Sequence, residues 1–171
     1  GAIEGFEVGG VHHGQVVANF AWVADVVAVV IADGIHINPE IIKFLLSCKS
    51  LDKVVLVTDS LKPTKQTKKP LIANGDEVYL NKCFYRKSDD AIAGSALTMI
   101  DSVKNIVSYG LHLEQAVHMA STNPARIMKQ EHLGVIAPGY EADLVILSEK
   151  LQVLYTIIGG KIYKKGKLLC V

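Results

Sequence analysis

Two short phrases concentrate the side chains able to do chemistry. Asp33-Gly34-Ile35-His36 follows the apolar run Val26-Val27-Ala28-Val29-Val30-Ile31-Ala32, and Val57-Thr58-Asp59-Ser60 follows Val54-Val55-Leu56. A carboxylate at the end of an apolar strand is costly to bury unless a metal or a hydrogen-bond donor meets it. Such a group can take a proton from an attacking water and return it to a leaving amine. Asp59 is therefore the candidate acid/base, with a turn or helix-cap role as the plainer alternative. His36, four residues beyond its strand, can bind a substrate oxygen or phosphate, against the alternative of an exposed loop histidine. Asp33 and Gly34 also read as ordinary turn chemistry.

The surrounding elements must aim these groups at one place. The run 26–32 lacks polar alternation, which predicts a strand covered on both faces, as in a parallel sheet. Asn38-Pro39-Glu40 supplies a cap, a first-turn proline and an early acid, so a helix is expected from there through about residue 50. Its apolar stripe is Ile41, Ile42, Phe44, Leu45 and Leu46. Residues 54–58 form the next strand and complete a βαβ unit. In parallel α/β architectures the carboxyl ends of the strands form the mouth where chemistry is done.

Further along, residues 62–69 hold four lysines and a proline and read as a polar loop. Around Asn74-Gly75-Asp76 a hairpin of 71–73 and 77–80 is expected, extended by 83–86. Ile92-Ala93-Gly94-Ser95 is read as the opening of a long helix capped by Ser95, where small residues let backbone amides approach an anionic or carbonyl group. Residues 113–121 read as a second helix, and Asn123-Pro124 restarts a short third. From Gly134 the style changes to strand-length segments with glycine turns. The expected organisation is an irregular glycine-rich opening segment (1–15), an α/β portion with a hairpin insertion and paired helices (16–130), and a small β module (131–171).

Composition bounds the classes of function. Of 171 residues half are hydrophobic, enough for one proper core, and 18 basic against 17 acidic residues leave a net charge of +1. No global field attracts nucleic acid or an anionic membrane, so neither is expected as a partner. Cys48, Cys83 and Cys170 are far apart and in no metal-ligand spacing, which points to a reducing cytoplasm rather than a disulfide framework. No leader or membrane-length apolar stretch is evident, and a soluble, unexported protein is expected. His12 and His13 are adjacent, which in a strand sends them to opposite faces, and the remaining histidines show no ligand spacing. HExxH, P-loop, GxSxG and dinucleotide signatures are absent from the sequence.

Taken together these phrases resemble the N-acetylglucosamine-6-phosphate deacetylases of the amidohydrolase superfamily. Ile31-Ala32-Asp33-Gly34-Ile35-His36 is similar to the family's penultimate barrel strand and loop, and Leu56-Val57-Thr58-Asp59 to its last strand with the catalytic aspartate. Ala93-Gly94-Ser95-Ala96-Leu97-Thr98-Met99 is similar to its substrate loop. Met119-Ala120-Ser121-Thr122-Asn123-Pro124-Ala125-Arg126 resembles its paired-helix signature, and Gly134-Val135-Ile136-Ala137-Pro138-Gly139 with Ala142-Asp143-Leu144-Val145 resembles the return into its small β-sandwich. The last of these is shared by many amidohydrolases, and a dihydroorotase-like or aminoacylase-like enzyme is the alternative it leaves.

The resemblance implies an α/β fold: the C-terminal part of a metal-dependent-hydrolase TIM-like (β/α) barrel plus part of a small β-sandwich. It implies hydrolysis of the acetamide of N-acetylglucosamine 6-phosphate, with a metal-activated hydroxide attacking the carbonyl and Asp59 shuttling the proton. Asp33, Gly34, Ile35 and His36 would line the sugar-phosphate pocket, and Ile92, Ala93 and Gly94 its other wall. A divalent metal, zinc before iron or manganese, and a homodimer are implied as well. The family's metal ligands, a glutamate and two histidines, lie upstream of the strands matched here, so no metal ligand is assigned. The family's arginine before the stretch resembling 16–32 is replaced by His12-His13-Gly14-Gln15. A non-catalytic fragment without those ligands is the second alternative.

Overall fold

The computed structural model describes residues 26–66 and 68–170, and the expectations for 1–25 lie outside the described residues. Strand β1 (Ala28–Ile31) leads into helix α1 (Pro39–Cys48), a 3-10 turn (Leu51–Lys53) and strand β2 (Val54–Val57). The two strands pair in parallel, with Ala28 opposite Val54 and Ile31 opposite Val57. The βαβ reading therefore stands, with each element shorter than expected. Helix α1 starts where the sequence puts it, because the Asn38 side chain accepts from the Glu40 N–H and Pro39 needs no donor in the first turn. It stops at Cys48 rather than near residue 50, since Lys49 turns to an extended conformation.

The two strands differ in their cover. Val54, Val55 and Leu56 of β2 are all buried, as the unbroken apolar run predicts. In β1 only Ala28 and Val30 are buried, and Val29 is 57% exposed. The described helices pack on the side of Ala28 and Val30. That side is a core of Val30, Ala32, Ile42, Val54, Leu56, Val103, Ile106 and Met119, joined by further aliphatic side chains.

After β2 the chain builds an antiparallel sheet from β3 (Leu71–Ala73), β4 (Asp76–Asn81), β5 (Cys83–Arg86) and β6 (Ile92–Gly94), in chain order. Its small core is Leu71, Ala73, Val78 and Phe84. Ile92, Ala93 and Gly94 are thus a strand and not the start of a helix. Tyr85 pairs with Ile92 and Phe84 with Gly94, so the sheet ladder claims the backbone groups that a helix would need. Helix α2 (Met99–Ser108) begins four residues beyond Ser95, capped by the Thr98 hydroxyl on the Asp101 N–H.

Helix α3 (Leu113–Val117) runs through a π turn (His118–Thr122) directly into α4 (Asn123–Ile127). The short third helix expected from Asn123-Pro124 is α4, and it joins the π turn without a break, the Asn123 N–H reaching the His118 carbonyl five residues back. Strands β7 (Leu144–Leu147), β8 (Val153–Ile158), β9 (Lys161–Lys164) and β10 (Lys167–Cys170) form a second antiparallel sheet in the meander order the glycine turns predict.

Candidate active site

The loop after β1 is organised by one carboxylate. Asp33 is only 7% exposed, and its Oδ1 accepts from the backbone N–H groups of both Ile35 and His36, at 2.9 Å each. Its Oδ2 lies 2.6 Å from His36 Nδ1. This is the turn chemistry the Asp-Gly pair suggests, extended to the imidazole two residues beyond the glycine. Gly34 permits it with φ of +73°, a conformation that L side chains rarely adopt. The strand end is held from outside too: Asn105 of α2 donates its Nδ2 proton to the Ala32 carbonyl at 2.7 Å.

The second strand end is held differently. Asp59 is a non-glycine residue with φ of +49°, and its side chain is 50% exposed. Its Oδ2 stands 3.8 Å from His36 Nε2. The structure therefore brings Asp33, His36 and Asp59 into one file, with the imidazole between two carboxylates at the carboxyl ends of adjacent parallel strands. At the other end of β2, Asn123 is fully buried and donates to the Leu51 and Val54 carbonyls, at 2.7 Å each.

Charge follows the same arrangement. Burial pushes the Asp33 carboxyl up, but the hydrogen bonds from the His36 side chain and from two backbone N–H groups outweigh it and hold the group below the ordinary carboxylate value. The hydrogen bond to Asp33 raises the His36 pKa against the opposing effect of burial, and the charges of Asp33 and Asp59 add to the rise. The imidazole is thereby biased toward a cation with one N–H fixed on Asp33 and the other end toward Asp59.

A cleft of about 390 Å³ opens beside this file, lined by Asp33, Gly34, Ile35, Lys82, Ala96, Leu97 and Asp101. Three of the residues singled out from the sequence, Asp33, Gly34 and Ile35, line it. Ile92, Ala93 and Gly94 are not among the residues that line this cleft; Gly94 is buried, and a Cβ there would fall 2.7 Å from a Leu61 methyl carbon and 3.0 Å from the Asp59 carbonyl oxygen. These small residues let β6 approach the Asp59 backbone. Lys82 was missed because it sits between β4 and β5, with φ of +64°, in a hairpin whose fold over the site has no local signal. It has no ion-pair partner among the described residues.

Among the described residues no group of three or more His, Cys, Asp or Glu side chains could hold a metal ion. The Asp33-His36-Asp59 file is not by itself such a group. No helix among the described residues is long and apolar enough to cross a membrane.

Ionisable side chains at the carboxyl ends of a parallel βαβ unit, followed by a separate small sheet, agree with part of an α/β barrel architecture. The sequence matches the Amidohydrolase family over residues 2–163, and the chain belongs to that family. Its fold is that of part of the amidohydrolase barrel with the accompanying β domain. It is 31% identical over 144 residues to N-acetylglucosamine-6-phosphate deacetylase of Haemophilus influenzae, a match covering 81% of this chain and 37% of the relative. It is 32% identical over 134 residues to a putative N-acetylgalactosamine-6-phosphate deacetylase of Escherichia coli K12, covering 77% of this chain and 80% of that protein. The crystal structure of N-acetylglucosamine-6-phosphate deacetylase from Thermotoga maritima superimposes with a TM-score of 0.78 at 28% identity, covering 85% of this chain and 41% of that one. The chain thus spans well under half of the Haemophilus and Thermotoga relatives but most of the Escherichia one. Amidohydrolases are generally metal-dependent.

Proposed function

We propose that this chain carries the proton-transfer and substrate-recognition half of a hydrolase that cleaves the acetamide of N-acetylglucosamine 6-phosphate, giving glucosamine 6-phosphate and acetate. The observation that carries the reading is the placement of Asp59 3.8 Å from His36, itself fixed by Asp33, beside a cleft lined by the same loop. The deacetylase names of the matched relatives favour it over a dihydroorotase-like or aminoacylase-like reaction.

In this reading water adds to the acetyl carbonyl, the C–N bond breaks, and one proton must move from the water to the departing nitrogen. Asp59 is half exposed on its own strand end and accepts that proton, then delivers it to the amine. Asp33 and the backbone of Gly34 and Ile35 hold the sugar side of the cleft, the ammonium of Lys82, which lines it, meets the anionic group, and His36 adds positive charge from beside Asp33. The divalent metal implied by the resemblance finds no group of three or more ligands among the described residues. The cytoplasm as place of action and a homodimer as assembly belong to the same reading.

The test is kinetic, on the intact polypeptide. Asp59→Asn keeps the shape and loses the basicity, and kcat is expected to fall roughly 100- to 10,000-fold with KM little changed. His36→Asn is expected to raise KM more for the phosphorylated sugar than for unphosphorylated N-acetylglucosamine. Relatives named for the galactosamine epimer make N-acetylgalactosamine 6-phosphate the control substrate. Full activity of the Asp59→Asn protein would overturn the assignment.

A further inference from the structure

The turn at Asp59 is bracketed by a single buried residue from the far end of the antiparallel sheet. Ser95 has no exposed surface, and its hydroxyl donates to the Thr58 carbonyl. Its N–H donates to the Asp59 carbonyl at 2.8 Å, and its own carbonyl accepts from the Leu61 N–H at 3.2 Å. The Ser95 oxygen is in turn fixed by the Leu97 N–H at 2.9 Å. Ser60 and Ser95 form a parallel bridge, so the chain leaving β6 runs as a short extra strand along the residues that follow β2.

Backbone geometry makes this contact consequential. A residue other than glycine at φ of +49° is held by its surroundings, and at Asp59 the carbonyls on both sides of the strained residue, Thr58 and Asp59, are bonded to Ser95. Gly94 makes the approach possible, because any Cβ there would meet Leu61 and the Asp59 carbonyl oxygen.

We propose that Ser95 is the positioning residue for Asp59: its hydroxyl and backbone lock the 58–61 turn so that the Asp59 carboxylate stays beside His36. The inference rests on the reading of Asp59 as the proton carrier. It also gives the antiparallel sheet a task beyond covering the site, since β6 delivers Ser95 to the end of β2 as Lys82 is delivered to the cleft by the opposite turn of the same sheet.

The experiment compares Ser95→Ala, Ser95→Thr and Asp59→Asn in the intact polypeptide, measuring kcat and KM for N-acetylglucosamine 6-phosphate and thermal unfolding for each. Ser95→Ala keeps the backbone bonds and loses both hydroxyl bonds. The expected result is a fall in kcat of about 100-fold with KM within about threefold, the scale of a catalytic group displaced by about 1 Å. Ser95→Thr, which keeps the hydroxyl, is expected to recover most of that loss. A folded Ser95→Ala protein with unchanged kcat, while Asp59→Asn is inactive, overturns the role of Ser95 and leaves that of Asp59. Equal losses in the Ala and Thr variants, tracking the fall in unfolding temperature, mark Ser95 as structural only and overturn the proposal as well. Activity in Asp59→Asn instead defeats the functional reading itself. Should Ser95→Ala fail to fold, Ser95→Cys, which fills the space with a poor donor, carries the test: loss of kcat at steady KM supports the proposal and wild-type kcat overturns it.

Discussion

The two strand ends that frame the site solve the same problem by opposite means. At the end of β1 the bonds to the Asp33 carboxylate are made within three residues, to the N–H groups of Ile35 and His36 and to the His36 ring, with one long-range bond, from Asn105, on the preceding Ala32 carbonyl. At the end of β2 the turn is held from Ser95, 37 residues from Thr58, and the start of the strand from Asn123, 69 residues from Val54. The first carboxylate is buried and spends its lone pairs on its own loop, so it cannot also move protons freely. The second is half in solvent, with its backbone rather than its carboxylate held by the fold. A group meant to shape a pocket and a group meant to exchange protons are distinguished here by who satisfies them, not by residue type.

That contrast is open to direct attack. Removing the long-range hold at the foot of β2 is expected to be the most damaging single change to stability. Asn123→Ala deletes two donors, taking the side-chain partner from the buried Val54 carbonyl and leaving the Leu51 carbonyl with only the Val54 N–H, at a cost of about 3 kcal/mol in chemical denaturation. A loss below about 1 kcal/mol would mean that water replaces the amide and that β2 is not fastened from the π turn.

Asp33→Ala breaks the local hold and is expected to cost somewhat less, about 2 kcal/mol, because the freed N–H groups of Ile35 and His36 lie in a loop that water can reach. It should also free the His36 ring, visible by NMR titration as a fall in the imidazole pKa, since Asp33 is the largest cause of its rise. An unchanged His36 titration would show that Asp59, not Asp33, is its main partner.

A smaller effect concerns pH. The folded pKa of His36 is raised above its ordinary 6.5, so its contribution to stability is complete below 6.5 and is lost as pH rises through the raised value. The folded pKa of Asp33 is lowered below 3.8, so its contribution is complete above 3.8 and is lost as pH falls through the lowered value. The pair is therefore expected to stabilise the protein most between 3.8 and 6.5. Urea unfolding midpoints across pH, compared between wild type and His36→Gln, check this; identical alkaline slopes in the two proteins would remove the ion pair from the account.

Some of this was legible from the residues alone. The parallel pairing of β1 with β2 through α1 follows from apolar runs, a first-turn proline and a capping Asn38, all acting within a few residues. The Asp33 loop is local as well, and Asp-Gly with a following His carries most of its geometry. The second sheet's meander is announced by Gly159-Gly160 and Lys165-Gly166. Ile92, Ala93 and Gly94 were misread as a helix opening because short runs of small residues suit a helix start and a strand in close contact equally well, and only the pairing with β5 decides.

Sequence by itself thus determined what each strand end could do: it put a carboxylate after each apolar run and an imidazole within reach of the first. Tertiary structure decided which carboxylate is spent and which is free, which of the small residues press on the Asp59 backbone, and that a lysine from a hairpin turn shares the cleft. The physical reason is distance along the chain. Hydrogen bonds closed within three residues are dictated by local side-chain chemistry, whereas those closed across 37 to 72 residues exist only because the cores on either side pack first and bring their donors to fixed positions.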